Sequence, residues 1–209
     1  MIRVKICGIT RLADARLAID LGADAVGFIL WPNSPRARSV EDVRRITKDL
    51  PPFVTRVGVF VNQSPDDVRA AIMDAGLDVA QLHGDEDVAD YAALGARIVR
   101  GVPLTDDEAL DRAMALPEHV TPLVDASDRA RRGGTGQLAD WHRAARLARE
   151  RPILLAGGIT PENAVDAVRA VRPWGLDVSS GIEDAPGIKN HDRLRLLFDV
   201  VGRLRAEGL

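Results

Sequence analysis

The chain has 209 residues, 46% of them hydrophobic, which is enough for a substantial core and an ordinary length for one α/β barrel. Its 28 basic residues face 31 acidic ones for a formal charge of −3, which excludes a general electrostatic attraction to nucleic acid or to an anionic membrane surface. The single cysteine excludes an intrachain disulfide and a cysteine metal cluster and fits a reducing compartment. With no secretory apolar stretch in Met1-Ile2-Arg3-Val4-Lys5 and no run of membrane-spanning length, a soluble cytoplasmic protein is expected.

In chain order, eight apolar strand candidates begin near Arg3, Ala25, Thr55, Val79, Arg97, Pro122, Ile153 and Leu176. Helix-compatible stretches lie between and after them: Arg11–Leu21, Val40–Asp49, Pro65–Ala75, Asp87–Leu94, Asp106–Leu116, Leu138–Arg149, Pro161–Val171 and Asp192–Glu207. The repeat is about 26 residues, the size of a minimal strand–helix unit. The strand runs are short and rich in Val and Ile, as suits parallel strands covered on both faces. An internal echo marks the helix ends: Gly22-Ala23-Asp24, Gly76-Leu77-Asp78, Gly95-Ala96-Arg97 and Gly175-Leu176-Asp177 each lead into an apolar run. Glycine past a helix end supplies a left-handed turn that a Cβ would oppose. Ser64-Pro65 and Thr160-Pro161 each place a capping hydroxyl before proline at the first helical position.

No linker, charge block or low-complexity segment divides the chain, so residues 1–209 are expected to form one domain. Eight alternating units predict a single (β/α)8 TIM barrel with a parallel eight-stranded core. An open doubly wound sheet stays open as the alternative, although no Gly-x-Gly-x-x-Gly follows the first strand. The irregular segment Ala126–Gly136 is the longest gap, and its charges and glycines suggest a mobile loop.

In such a barrel the site forms where the strands end. That rule selects Cys7, the Ile29–Arg36 loop, Asn62, His83, Arg100, Asp125, Gly157-Gly158 and Ser179-Ser180-Gly181. Cys7 reads either as a small buried hydrophobe or as a thiolate base or nucleophile; Lys5 shares its strand face and would favour the thiolate. Asp125 reads as a turn cap or as a general acid–base carboxyl. Gly157-Gly158 and Ser180-Gly181 follow consecutive strands, where backbone N–H groups commonly cradle a phosphate. Arg36 is a solvated loop residue or a fork for a substrate carboxylate. His83, with no second ligand at metal spacing, reads as a polar pocket wall, and no metal site is expected. Asp177 aligns in the echo with Asp24 and Asp78, where a strand-start role would suffice, but it also shares a face with Ser179. Gly133-Gly134-Thr135-Gly136 is a ligand cover or a flexible turn, and Trp31, Trp141 and Trp174 are packing or rim residues.

Taken together, Lys5-Ile6-Cys7-Gly8-Ile9-Thr10, Gly27-Phe28-Ile29, Ser34-Pro35-Arg36, Val57-Gly58-Val59-Phe60-Val61-Asn62 and Gln81-Leu82-His83-Gly84 resemble the phosphoribosylanthranilate isomerase family. So do Gly133-Gly134-Thr135-Gly136, Leu155-Ala156-Gly157-Gly158-Ile159-Thr160-Pro161-Glu162-Asn163 and Asp177-Val178-Ser179-Ser180-Gly181-Ile182-Glu183. The resemblance implies a barrel that performs the Amadori rearrangement of N-(5-phosphoribosyl)anthranilate in tryptophan biosynthesis, without metal or organic cofactor. It implies Cys7 as base, Asp125 as acid, Arg36 on the substrate carboxylate, Asp177 on the sugar, and Gly157, Gly158, Ser180 and Gly181 around the phosphate. The expected partner is a small phosphorylated aminosugar, with no nucleic acid and no membrane, in a monomer or homodimer. Two other readings stay open: a sugar-phosphate isomerase of the histidine type, which the thiol at residue 7 disfavours, and a noncatalytic barrel that binds a phosphate ligand.

Overall fold

A computed structural model of the chain describes residues 1–125 and 141–209. Eight parallel strands close on themselves in the order β1 to β8: Arg3–Ile6, Ala25–Ile29, Thr55–Phe60, Val79–Leu82, Arg97–Val102, Val120–Val124, Leu154–Leu155 and Gly175–Val178. β1 pairs with both β2 and β8, which closes the ring and leaves the barrel sheet without an edge. The barrel outcome was legible because each strand run is followed by a helical period, and parallel neighbours need such a crossover.

The helices are α1 (Leu12–Asp20), α2 (Val40–Thr47), α3 (Pro65–Ala75), α4 (Asp107–Met114), α5 (Trp141–Glu150), α6 (Ala164–Val171) and α7 (His191–Ala206). A 3₁₀ helix, Val88–Leu94, stands where the fourth helix was expected. Ser64 caps α3 as expected: its hydroxyl accepts from the Asp67 N–H, and Pro65 opens the helix. Gly76 and Gly95 take the left-handed turn at their helix ends.

Two expectations fail locally. Thr160 does not cap α6. The Asn163 side chain instead accepts from the Thr160 N–H at 2.8 Å and donates to the Gly158 carbonyl at 2.8 Å, folding 161–163 into a turn before the helix. Gly175 is not a helix end either. The left-handed residue after α6 is Arg172, with φ of 53°, and Gly175 lies in β8. There it is required for packing, because a Cβ would sit 2.9 Å from Leu154 Cδ2.

Strand alternation divides the apolar side chains into two clusters. Outward residues such as Ile6, Phe28, Phe60, Leu82, Leu155 and Leu176 pack with helix residues such as Leu110, Leu194 and Leu197. Inward residues Val57, Val79, Val99, Leu123, Leu154 and Ala156 fill the barrel. Each large buried side chain contributes about 1.5–3 kcal/mol through area removed from water. Polar residues also face inward: Gln81 on β4 is buried, and Lys5 on β1 and Asp177 on β8 are register partners that form a buried ion pair of 2.8 Å. Among the described residues, no helix is long and apolar enough to cross a membrane.

Candidate active site

The register places the inward residues of every strand on shared levels, so the last inward residue of each points to one mouth. Cys7 follows β1, and its N–H donates to the Val178 carbonyl of β8. Asp125 follows β6. In the closed strand order these two lie on opposite walls of the same opening, three strands apart by the shorter way round.

The thiol wall is dry and charged. Cys7 is 6% exposed, and Lys5 beside it is 3% exposed. Facing them, Gly27 of β2 leaves the room they use: a Cβ there would lie 3.0 Å from both Cys7 Sγ and Lys5 Nζ. Burial pushes the Cys7 thiol up in pKa, and the Asp177 carboxylate adds to the rise, while the Lys5 and Lys189 ammonium groups pull it back. Burial works to lower Lys5, but Asp177 and Cys7 outweigh it and the lysine stays charged, its pKa raised.

Arg36, in the loop after β2, arches over Gly8, where a Cβ would strike Arg36 Cδ at 2.7 Å. Its Nε donates to Glu183 Oε1 at 2.9 Å and to Oε2 at 3.0 Å, and its Nη2 to Oε2 at 2.5 Å. Glu183 thus grips one edge of the fork and leaves the Nη1 corner to other partners. Those bonds and Lys189 hold the Glu183 carboxyl below its ordinary range, against the burial that would raise it.

The carboxyl wall is wetter, with the His83 and Asp125 side chains 25% and 20% exposed. Gln81 Nε2 lies 3.2 Å from His83 Nδ1, and His83 Nε2 lies 3.4 Å from Asp125 Oδ2. Gly101 on β5 makes space for the ring, since a Cβ there would lie 2.5 Å from His83 Nδ1.

The glycine loops after β7 and β8 meet backbone to backbone. Gly157 and Gly158 adopt φ of 82° and 64°, which only glycine takes without strain. Gly181 lies in a 3₁₀ turn, Ser180–Ile182, and a Cβ on it would sit 2.0 Å from the Ile159 carbonyl oxygen. The Gly181 carbonyl accepts from Arg193 Nε at 2.8 Å, which ties the turn to α7.

Cys7, Arg36, His83, Asp125, Asp177, Gly157, Gly158, Ser180 and Gly181 therefore all border one end of the barrel. Asp177 departs from its echo partners. Asp24 and Asp78 precede their strands and accept from backbone N–H groups of Val4 and Arg56, whereas Asp177 is the third residue of β8 and turns inward. Arg100 and Asn62 are not mouth residues in the same sense. Arg100 occupies an outward register position and braces the neighbouring loop through Glu86 and the carbonyls of Leu82 and Gly84. Asn62, at φ of 55°, accepts from the Asp85 N–H in that loop. Trp174, about half exposed, immediately precedes β8 and so lies at the barrel end away from the mouth, and Trp141 packs against the core. Gly133-Gly134-Thr135-Gly136 lies outside the described residues. Among the described residues, no group of three or more His, Cys, Asp or Glu side chains could hold a metal ion.

Sequence reading missed Glu183 and Lys189 as site residues. They belong to a hairpin of β9 (Glu183–Ala185) and β10 (Ile188–Lys189) outside the eightfold repeat. Its local signal is Pro186-Gly187, a turn dipeptide whose glycine has φ of 80°.

A family model described as N-(5'phosphoribosyl)anthranilate (PRA) isomerase matches residues 4–200. N-(5'-phosphoribosyl)anthranilate isomerase of Magnetococcus marinus is 42% identical over 202 residues, covering 97% of this chain and 96% of that protein. The Thermotoga maritima enzyme is 41% identical over 201 residues, covering 95% and 97%. The solved phosphoribosyl anthranilate isomerase of Thermus thermophilus superposes with a TM-score of 0.88 at 42% identity, covering 98% of this chain and all of that one. Another, solved in complex with reduced 1-(o-carboxyphenylamino)-1-deoxyribulose 5-phosphate, gives a TM-score of 0.86 at 37% identity over the whole of both chains. The chain belongs to the N-(5'-phosphoribosyl)anthranilate isomerase family and is an isomerase of tryptophan biosynthesis.

Proposed function

We propose that the Amadori rearrangement runs in this chain through Asp125 as general acid and Cys7 as general base, with residues 1–209 acting as one catalytic barrel. Asp125 donates a proton to the ribose ring oxygen as the C1′–O bond breaks, and the anthranilate nitrogen lone pair forms the Schiff base. The Cys7 thiolate then takes the C2′ proton, and the resulting enolamine tautomerises to the ketone. The observation that carries this reading is the emergence of a buried thiol after β1 and a carboxyl after β6 at one barrel mouth.

Two anchors would fix the substrate between those walls. Backbone N–H groups of Gly157, Gly158, Ser180 and Gly181 would hold its phosphate, and the uncommitted corner of Arg36 its carboxylate. Asp177 and His83 would border the sugar. The same chemistry fits the ligand of the relative solved with the reduced deoxyribulose phosphate, which carries both a phosphate and a carboxyphenyl group. Holding both ends fixes C2′ near the sulfur, which converts a diffusional encounter into an internal proton transfer. The reading places the enzyme in the cytoplasm as a monomer or a homodimer. A relative described as dimeric and the fully exposed Phe53 between α2 and β3 favour the dimer.

The test is turnover of Cys7→Ser and Asp125→Asn, followed by loss of anthranilate-type fluorescence. Each proton-transfer group contributes about 10²–10⁴-fold, so both variants lose turnover by that order while their circular dichroism stays native. Near-normal kcat in both refutes the assignment. Conversion of a histidine-type aminoaldose substrate but not phosphoribosylanthranilate would transfer the site to the alternative reaction.

A further inference from the structure

Behind the mouth lie two buried charges, Lys189 and Glu183, that the proposed mechanism does not use. Lys189 on β10 is 2% exposed, and its side chain is completely enclosed. Its ammonium group donates to the Cys7 carbonyl at 2.5 Å, to Glu183 Oε1 at 2.8 Å and to the Ser179 carbonyl at 3.3 Å. Glu183 is the carboxylate that grips Arg36. One carboxylate is therefore shared by two cations; burial and Arg36 lower the Lys189 pKa while Glu183 and Cys7 work to raise it, and with Lys189 protonated the trio carries one unit of excess positive charge. Lys5 and Asp177, the other charges around the thiol, cancel each other.

A fully buried ammonium group is costly in free energy, and a shared carboxylate compensates it only in part. Thiolate formation at Cys7 would supply the missing negative charge. Counted as charge alone the pocket fits the ionised sulfur, and the Lys5 and Lys189 ammonium groups work toward it against the burial that holds the thiol pKa up. The hydrogen bond to the Cys7 carbonyl also fixes the backbone that carries the thiol, and Glu183 extends the same hold to Arg36.

We propose that Lys189 is a positioning residue for the Cys7 thiolate, seating its backbone and supplying the positive charge that offsets the ionised sulfur, with Glu183 as the link to Arg36. The inference rests on Cys7 being the base. The groups that act on the sulfur are Lys5 on β1, Asp177 on β8, Lys189 on β10 and Arg36 after β2, and Glu183 on β9 reaches it through its bonds to Lys189 and Arg36. The groups facing Lys189 are Glu183 and Arg36, with Asp14 of α1 accepting from its backbone N–H and His191 of α7 bonded to Asp14. Lys5, Arg36 and Lys189 favour the thiolate, while Asp177 and Glu183 oppose it.

Because the chain has a single cysteine, one carbon-13 label on cysteine Cβ reports its ionisation directly by NMR. The titration is run on the intact protein, on Lys189→Met, on Lys189→Arg and on Glu183→Gln, beside the pH dependence of kcat/KM. The Lys189 cation lowers the Cys7 pKa, so Lys189→Met raises the thiol midpoint and its kcat/KM profile moves with it. Glu183→Gln lowers the midpoint, because it leaves the two cations unshared, and raises KM through Arg36. Lys189→Arg keeps the charge and stays close to the parent midpoint.

Midpoints that stay put, or that shift the same way in Lys189→Met and Glu183→Gln, overturn the proposal and leave both residues as packing. If Lys189→Met does not fold, the downward shift in Glu183→Gln decides by itself, and its absence is fatal. An active Cys7→Ser variant would sink the base assignment without altering these titrations, so the two failures are separable.

Discussion

The two walls of the mouth solve different problems. Around Cys7, charged groups are enclosed: Lys5, Asp177 and Lys189 are each at most 9% exposed, and every one has an ionic partner within 2.8 Å. Around Asp125, the groups are half open: the His83 and Asp125 side chains are 25% and 20% exposed, and the distance between them is 3.4 Å. A base that must take a proton from carbon gains from a dry, fixed setting, where neighbouring charges act strongly. An acid that protonates an ether oxygen and is then recharged gains from nearby water. The contrast teaches that one barrel mouth can offer two dielectric environments across its width.

The comparison breaks most visibly at Asp177. Asp177→Ala leaves the Lys5 ammonium enclosed without its partner, and losing one side of a buried ion pair costs about 3–5 kcal/mol. The expected outcome is a large drop in the denaturation midpoint, partly restored by adding Lys5→Met. On the other wall, His83→Ala should cost less than about 1 kcal/mol, because the ring is only partly buried and its contacts are long. Equal losses at the two positions would erase the contrast.

A smaller effect is expected at Arg36. Arg36→Ala removes charge-assisted hydrogen bonds, each contributing about 1.5–3 kcal/mol. KM should rise by about tenfold or more with a milder change in kcat. An unchanged KM would remove Arg36 from the substrate.

Smaller again is Gly101→Ala. The added methyl would meet His83 Nδ1 at 2.5 Å and turn the ring off Asp125. A fall in kcat of about tenfold with stability held within about 1 kcal/mol would show that His83 orients the acid. Unaltered kcat would make the histidine a bystander.

The smallest effect concerns acid. The Glu183 carboxyl is held below the ordinary glutamate value of 4.5, so its contribution is complete above that pH and is lost as pH falls further. Glu183→Gln should flatten the loss of stability below about pH 4.5, measured by urea unfolding across the acid range. An identical acid profile would show that the Arg36–Glu183–Lys189 group adds nothing to folding.

Much of the fold can be read from the chain because it rests on local rules repeated eight times. Pro65–Ala75 matches its expected bounds residue for residue, since Ser64, Pro65 and Gly76 all punctuate it through their own chemistry. Asp87–Leu94 falls short because a 3₁₀ turn and a short α-helix share the same start and stop residues. Asp177 shows the limit of sequence echoes. It carries the same Gly-x-Asp spelling as residues 22–24 and 76–78, yet β8 starts three residues earlier within that spelling and turns the side chain into the barrel.

By itself, the sequence determined the alternation of strand and helix, the strand ends where chemistry collects, and the family, because periodicity, caps and glycines act within a few residues. Only the tertiary structure decided that Lys189, 182 residues from Cys7, holds the carbonyl of the thiol-bearing residue, and that Glu183 holds the arginine. Those bonds join segments distant along the chain through a ring closure and a two-strand hairpin. Charge sharing of that kind depends on distances in space, which no local pattern of residues encodes.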